Sequence, residues 1–407
     1  MAELSRVVLL GIIACALALR GWLAVRQIAY LRRQRELGEA EARARAYAIA
    51  RARLEMITAF LETALILLFT LGGGIAWLSR LGQGRTMLGA VLVGTVTAAF
   101  AALRGALRLY QARVLDPRFG FAPRASLRLL ATMLPQGIIA VAVAAAMGAA
   151  LTWLMDTGWE GWWLGAASLW SLVLFARICW QPALSALLGN RARPLTEGPL
   201  QQRLQSLLNR AGLGHAKIYR IESAFRSHRA NARLAGVGRW RRIELSATLL
   251  KLLAPAELEA VIAHELGHWH GAHMAWDFAL RALAGFFGFA LLAGTIGARA
   301  LGSSVGLGPE ATAPAFVATG AALLPLTRFF LTPLVAFLYR NFEYAADAFA
   351  ARHTDPYAFI RALEKLHVTN ATVRASDPLY AGFYASHPEP AARIRRLEAL
   401  ARKARVG

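Results

Sequence analysis

His264-Glu265-Leu266-Gly267-His268 sets two imidazoles four residues apart with a carboxylate between them. On an α-helix residues i and i+4 share a face, so both His side chains can grip a single Zn²⁺. Glu265 projects beside them, where it can take a proton from water rather than bind the metal. A surface helix bearing two histidines has the same spacing, so the reading needs more residues. A hydrolytic zinc site wants a third protein ligand and an open position for water. Glu343 is the best candidate, and Asp347 lies four residues on, on the same helical face. One carboxylate can bind zinc while the other accepts the free N–H of a ligand imidazole and fixes its tautomer. Glu343 is assigned to the metal, at one zinc per chain, and Asp347 to the imidazole. Against this stands a plain reading of both as decoration on a surface helix.

The elements around these residues are expected to be helical. Pro255 can open the helix that carries the pair, with Glu257 and Glu259 near the positive end of its dipole. Leu258, Val261, Ile262, Leu266 and Trp269 give it an apolar stripe. At 100° per residue His270 is rotated about 240° from His264, and His273 about 180°. Neither shares the face of the pair, so both are expected behind it or at the surface. Ahead of this helix, residues 200–211 read as helix, and 216–222 and 232–246 as short strands with a turn at Gly236-Val237-Gly238.

The 407 residues are 57% hydrophobic and carry a formal net charge of +22. Apolar and basic together fit an integral membrane protein better than a soluble enzyme. The basic residues flank apolar runs instead of clustering on one domain, which argues against nucleic-acid binding. Seven stretches can each span a bilayer: 7–25, 57–79, 86–103, 129–154, 161–184, 275–300 and 313–338. Ala16-Leu17-Ala18 looks like a signal-peptide cleavage site, but arginines follow the apolar run, so the first span is expected to stay uncleaved. Cys15 and Cys179 lie in apolar runs and read as buried small hydrophobes.

Charge orients the chain. Eight arginines lie between Arg26 and Arg53 and six between Arg104 and Arg128, whereas 156–160 and 302–310 hold no Lys or Arg. The positive-inside rule then puts the N-terminus outside, and the metal motif and C-terminus in the cytoplasm. Four parts are expected: spans one to five over 1–184, a zinc-protease block over 185–274, spans six and seven over 275–338, and a helical block over 339–407 that supplies the third ligand. Glu62, Arg177, Asp277, Arg281 and Arg328 fall in or at the rims of the spans. Facing lipid they would each cost several kcal/mol, so they should face protein, water or one another. Asp277 and Arg281 are spaced to pair. Snorkelling at the bilayer edge is the other reading for Arg177 and Asp277.

Taken together, the chain resembles the type I CaaX prenyl protease family, integral-membrane zinc metalloproteases that process prenylated proteins. The matching stretches are His-Glu-Leu-Gly-His-Trp at 264–269, Phe-Glu-Tyr-Ala-Ala-Asp-Ala-Phe at 342–349, and Ser-His-Pro at 386–388 followed by Arg393-Ile394 and Leu397. Weaker echoes are Phe119-Gly120-Phe121, Pro194-Leu195, Asn231-Ala232 and Arg242-Ile243. The resemblance implies a mainly α fold with seven membrane helices around an internal chamber, capped by a cytoplasmic α+β zinc domain with a short sheet. It also implies roles by position. His264, His268 and Glu343 would bind zinc and Glu265 would be the general base. His387 and Arg393 would stand near the substrate carbonyl, as donors to a developing oxyanion. Asn231 and Ala232 would begin a strand that pairs with the substrate backbone. Departures are Arg233 where an aromatic is common, Arg229 where the family has His, and the loss of an acid before Thr248-Leu249-Leu250.

The expected activity is therefore a membrane-embedded zinc metalloendopeptidase acting on a peptide or protein substrate. A lipidated C-terminus follows from the resemblance alone. Ala- and Arg-rich composition points to a bacterial inner membrane, which keeps open a quality-control protease of the same chemistry. A catalytically silent chamber for lipid or peptide is the non-enzymatic alternative.

Overall fold

The computed structural model describes residues 2–34, 38–80, 84–121, 126–187, 190–223, 230–236, 241–294, 302, 305, 312–370 and 372–406. Helices α1 (Ala2–Arg33), α2 (Glu39–Phe69) and the short α3 (Gly74–Leu78) open the chain. α4 (Arg85–Tyr110) runs on through a π-helical stretch, Gln111–Leu115, and a last turn, Asp116–Arg118. α5 (Ser126–Asp156) and α6 (Trp162–Leu187) follow. Next come β1 (Asn190–Pro194), α7 (Pro199–Arg210), β2 (Lys217–Ser223), β3 (Ala232–Ala235) and β4 (Arg242–Ser246). α8 (Ala247–Leu252), α9 (Pro255–His270), α10 (His273–Ala293) and α11 (Ala313–His353) lead to the last three helices. These are α12 (Pro356–Thr369), α13 (Pro378–Tyr384) and α14 (Pro390–Val406).

Six helices among the described residues are long and apolar enough to cross a bilayer: Glu3–Arg33, Arg85–Arg118, Leu129–Asp156, Trp162–Trp180, His273–Ala293 and Ala313–His353. The stretch 57–79 is built differently from the single span expected. α2 ends at Phe69, where both the N–H and the hydroxyl of Thr70 donate back to Ile66 O. Gly73, at φ 74°, then turns the chain into α3, a left-handed geometry that only glycine adopts freely. Arg53, Glu55 and Glu62 on α2 also keep it out of the purely apolar set.

Two apolar clusters hold the molecule. In the membrane half, Ile13, Ile66, Phe69, Leu92, Val96, Phe100 and Phe329 pack α1, α2, α4 and α11 together. In the other half, Leu204, Leu208, Ile243, Leu245, Leu258, Ile262, Leu266, Phe349 and Phe359 join the sheet to α7, α9, α11 and α12. The sheet order is β1-β2-β4-β3, antiparallel at both outer pairs and parallel between β2 and β4. β1 was not expected: Asn190-Arg191-Ala192-Arg193-Pro194 has no apolar alternation, as suits an edge strand ending in proline. Gly236 keeps a turn conformation at φ 85°, while Val237, Gly238 and Arg229 lie outside the described residues.

Both intramembrane carboxylates are paired with arginines. Glu62 takes Arg20 at 3.2 Å and Arg104 at 2.9 Å, and Asp277 takes Arg281 at 2.8 Å. Cys15 and Cys179 are exposed rather than buried.

Candidate metal centre

α9 begins as its sequence dictates. Pro255 occupies the first turn, where a missing N–H costs nothing, and the Ala254 N–H donates to the Glu257 carboxylate at 2.9 Å. Burial alone would raise the Glu257 pKa. The Lys365 ammonium at 2.7 Å, that N–H and the Arg361 charge together hold it below the ordinary carboxylate value. The other face of α9 meets α11 at Gly267. A Cβ there would lie 2.7 Å from Ala346 Cα and 3.0 Å from Phe349 Cβ. Glycine between the two histidines thus lets α11 approach closely enough to deliver Glu343.

Nε2 of His264 and Nε2 of His268 stand 3.2 Å apart. Glu343 completes the group, with Oε2 at 3.5 Å from His264 Nε2 and Oε1 at 3.3 Å from His268 Nε2. The facing donor atoms of the three residues all lie within 4.8 Å of one another. On the far side of the first imidazole, His264 Nδ1 lies 2.9 Å from Asp347 Oδ1. That contact puts the proton on Nδ1 and leaves the Nε2 lone pair facing the cluster. Arg393 grips Asp347 through two bonds, Nη2 at 2.6 Å and Nε at 2.9 Å, and its Nη1 stands 3.6 Å from Glu343 Oε2. Arg393 is therefore placed behind the ligand group, bound to its carboxylates.

His273 is the group that helical spacing alone left behind the pair or at the surface. α9 stops at Gly271, and Ala272 takes a left-handed φ of 51°, unusual for a residue with a Cβ. The turn swings His273 back, so its Nδ1 lies 2.8 Å from His268 Nδ1 while its ring stacks on Phe342. His268 Nδ1–H can donate to it, which again leaves Nε2 for the cluster. The visible sign was Gly271-Ala272, where the helical count stops applying.

His387 is exposed on the loop after α13, and its Nδ1 reaches Glu343 Oε1 at 3.0 Å. That hydrogen bond pushes its pKa up. Desolvation pushes the Glu265 carboxyl up as well, against the opposing pull of His264 and His268, which makes it a better proton acceptor near neutrality. The backbone N–H of Leu234 on β3 faces that carboxyl and opposes the rise slightly. Among the described residues β3 pairs with β4 alone, and it packs against α9, which carries Glu265. Asn231 is exposed just ahead of that strand, while Ala232 is buried and pairs with Leu245. Arg233 points at Glu244, which Arg242 also binds. The missing acid near 247 leaves Ser246 Oγ as cap of α8, accepting from Leu249 and Asn231 N–H groups at 3.1 and 3.0 Å.

Whether these residues suit a metal can be judged from one buried atom. Glu343 is 4% exposed, and its Oε2 has no hydrogen-bond partner among the described residues. A carboxylate oxygen stranded against two imidazole lone pairs is what a divalent cation would satisfy, and the His₂Glu donor set suits zinc.

Helices of this kind with such a site define a membrane metalloprotease, and the comparisons agree. Residues 194–401 match the model for peptidase family M48, and residues 35–186 match "CAAX prenyl protease N-terminal, five membrane helices". The chain belongs to peptidase family M48. It is 28% identical to a CAAX prenyl protease 1 homolog of Arabidopsis thaliana, over 71% of this chain and 68% of that protein. It is 30% identical to CAAX prenyl protease 1 of Saccharomyces cerevisiae, over 53% of this chain and 51% of that one. The crystal structure of S. mikatae Ste24p shares the fold, with a TM-score of 0.81 at 22% identity, covering 97% of this chain and 98% of that one.

Proposed function

We propose that this protein is a zinc metalloendopeptidase that works inside the membrane on peptide substrates ending in a C-terminal segment. The convergence of His264, His268 and the buried, unsatisfied Glu343 carboxylate carries the reading. These three would hold zinc, with Asp347 and His273 fixing the imidazoles. Zinc, when bound, supplies a Lewis acid that acidifies water and polarises a carbonyl. Glu265 takes a proton from water on its raised carboxylate and returns it to the departing amine. His387 is placed to donate to the oxygen of the carbonyl under attack. Arg393 supports the same charge from behind, through Asp347 and Glu343. The β3 edge, from Asn231 and Ala232 onward, pairs with the extended substrate backbone.

The relatives' names favour substrates with lipidated C-termini. The arginine-rich connections favour an N-terminus outside and the site in the cytoplasm, and composition favours a bacterial inner membrane. The four-part division at 184, 274 and 338 follows the same logic.

Purified protein should carry about one zinc per chain. Glu265→Gln should retain that zinc and lose cleavage by about 10²- to 10⁴-fold, the usual weight of a general base. Zinc content near zero in the wild type, or full cleavage in Glu265→Gln, would overturn the reading. Equal turnover of a farnesylated peptide and its unmodified twin would remove the lipid preference and leave the chemistry.

A further inference from the structure

His387 has one task, donation to a carbonyl oxygen, and little of its own to hold it there. Its side chain is 69% exposed, so packing around the ring does little to fix where it points. Its place has to come from the backbone on either side. Before it lies the end of α13, where a last helical turn leaves carbonyls that no helical N–H reaches. Arg340 of α11 meets them. Its Nη1 donates to Ala385 O at 2.8 Å and Gly382 O at 3.1 Å, and stands 3.3 Å from Ala381 O. Ala381 O already accepts the Ala385 N–H at 2.9 Å, so the gain lies in the other two.

The body of α13 is seated by other contacts. Asp377 caps its first turn and takes Arg26 of α1 at 2.9 Å, Phe383 packs on Phe329, and the Tyr380 hydroxyl donates to Glu55 at 2.6 Å. Beyond His387, the Glu389 carboxylate accepts the Ser376 N–H at 2.6 Å. Arg340 holds the carbonyl from which the chain leaves α13, two residues before His387. It does so from one helical turn before Glu343, on the same side of α11. The helix that delivers the third metal ligand thus also fixes the start of the loop that touches it.

We propose that Arg340 is a positioning residue for the hydrolysis: by gripping the end of α13 it sets the place of the His387 imidazole at the reacting carbonyl. The inference rests on the donor role given to His387 above. A guanidinium suits this task, since its donors are fixed in one plane and it keeps its charge. An error of about 1 Å at a catalytic group can cost on the order of 10²-fold, so even slight slackening of this turn is felt.

The test uses the full-length zinc-loaded protein and one peptide that the wild type cuts. His387→Ala should lose about 10²-fold in kcat, as removal of an oxyanion donor does. Arg340→Gln should lower kcat by about tenfold or more with KM within about twofold, the mark of an interaction made only in the transition state. Once His387 is gone, removing Arg340 as well should cost less than about twofold further, because nothing is left for it to aim. Arg340→Lys should recover part of kcat, since an ammonium can still reach a carbonyl. Arg26→Gln, which loosens the far end of α13, should stay within about twofold of wild type.

Equal losses from Arg340→Gln with and without His387 would overturn the proposal, because a general structural role costs the same in both. So would a rise in KM at constant kcat, an equal loss in Arg26→Gln, or a His387→Ala variant that keeps full kcat. If the wild type cuts no peptide, the peptidase reading fails separately. Hydrogen exchange over 381–387 then still decides: it should rise in Arg340→Gln, and an unchanged rate would show that Arg340 does not hold the loop.

Discussion

α9 and α10 are neighbours in sequence, both rich in apolar residues, and they meet opposite surroundings. Ten residues of α9 are buried, Glu257, Glu259 and His264 among them. In α10 only His273 is, while Trp276, Leu283, Phe287 and Leu291 are exposed. One helix is enclosed by protein on a face cut to fit α11, and the other leaves its apolar side chains outside the protein's core. Apolar composition thus says that water is excluded without saying by what. Volume should govern substitutions in α9, and polarity should govern them in α10.

Three substitutions can break or sharpen that contrast. Leu283→Arg, near the middle of α10, should destabilise the protein in bilayers by about 3 kcal/mol, the insertion cost of a charge at a span's centre. A change within about 0.5 kcal/mol in nanodisc melting would mean that α10 faces water. Gly267→Ala should cost about 2 kcal/mol by overpacking against Ala346 and Phe349, and should lower metal content as α11 is pushed away. Gly288→Ala on α10, where a Cβ meets nothing within 4 Å, should leave melting and metal content unchanged. If the two alanines behave alike, close packing does not set the site.

Asp347→Asn should keep the fold and weaken zinc binding by about tenfold or more, read by competition with a chelator. Lys365→Met tests the buried acid of α9 and should cost about 1 kcal/mol at pH 7, since the ammonium is half in water. Here the sign follows from Glu257, whose pKa is lowered in the folded protein. Its stabilisation is full above the unfolded value near 4.3 and is lost as pH falls through the folded value. Wild-type melting should therefore drop on acidification below about pH 4, and the drop should be shallower in Lys365→Met. A steeper acid loss in the variant would refute the pairing.

Some of this was legible in the chain and some was not. His264 and His268 could be read because helical periodicity is local and needs no tertiary contact. Thr70-Leu71-Gly72-Gly73-Gly74 was equally visible, yet hydropathy averaged it into one span, because an apolar window is blind to backbone geometry. β1 could not be read, since its strand character comes from pairing with β2 and not from its own side chains. His273 lies behind His268, one of the two places expected for it, but its contact with that imidazole could not be read from rotation, because Ala272 ends the helix on which the rotation was counted.

What the sequence decided by itself is everything that depends on neighbours within a turn or two: the histidine pair, the Glu343–Asp347 pair, the long apolar helices and the proline starts. Tertiary structure decided which of these meet. Gly267 allows two helices to touch, Ala272 turns a third histidine inward, and α11 carries one carboxylate to the site. The reason is physical: helix formation is governed by short-range hydrogen bonding and rotamer entropy, whereas the meeting of distant side chains depends on how whole surfaces fit.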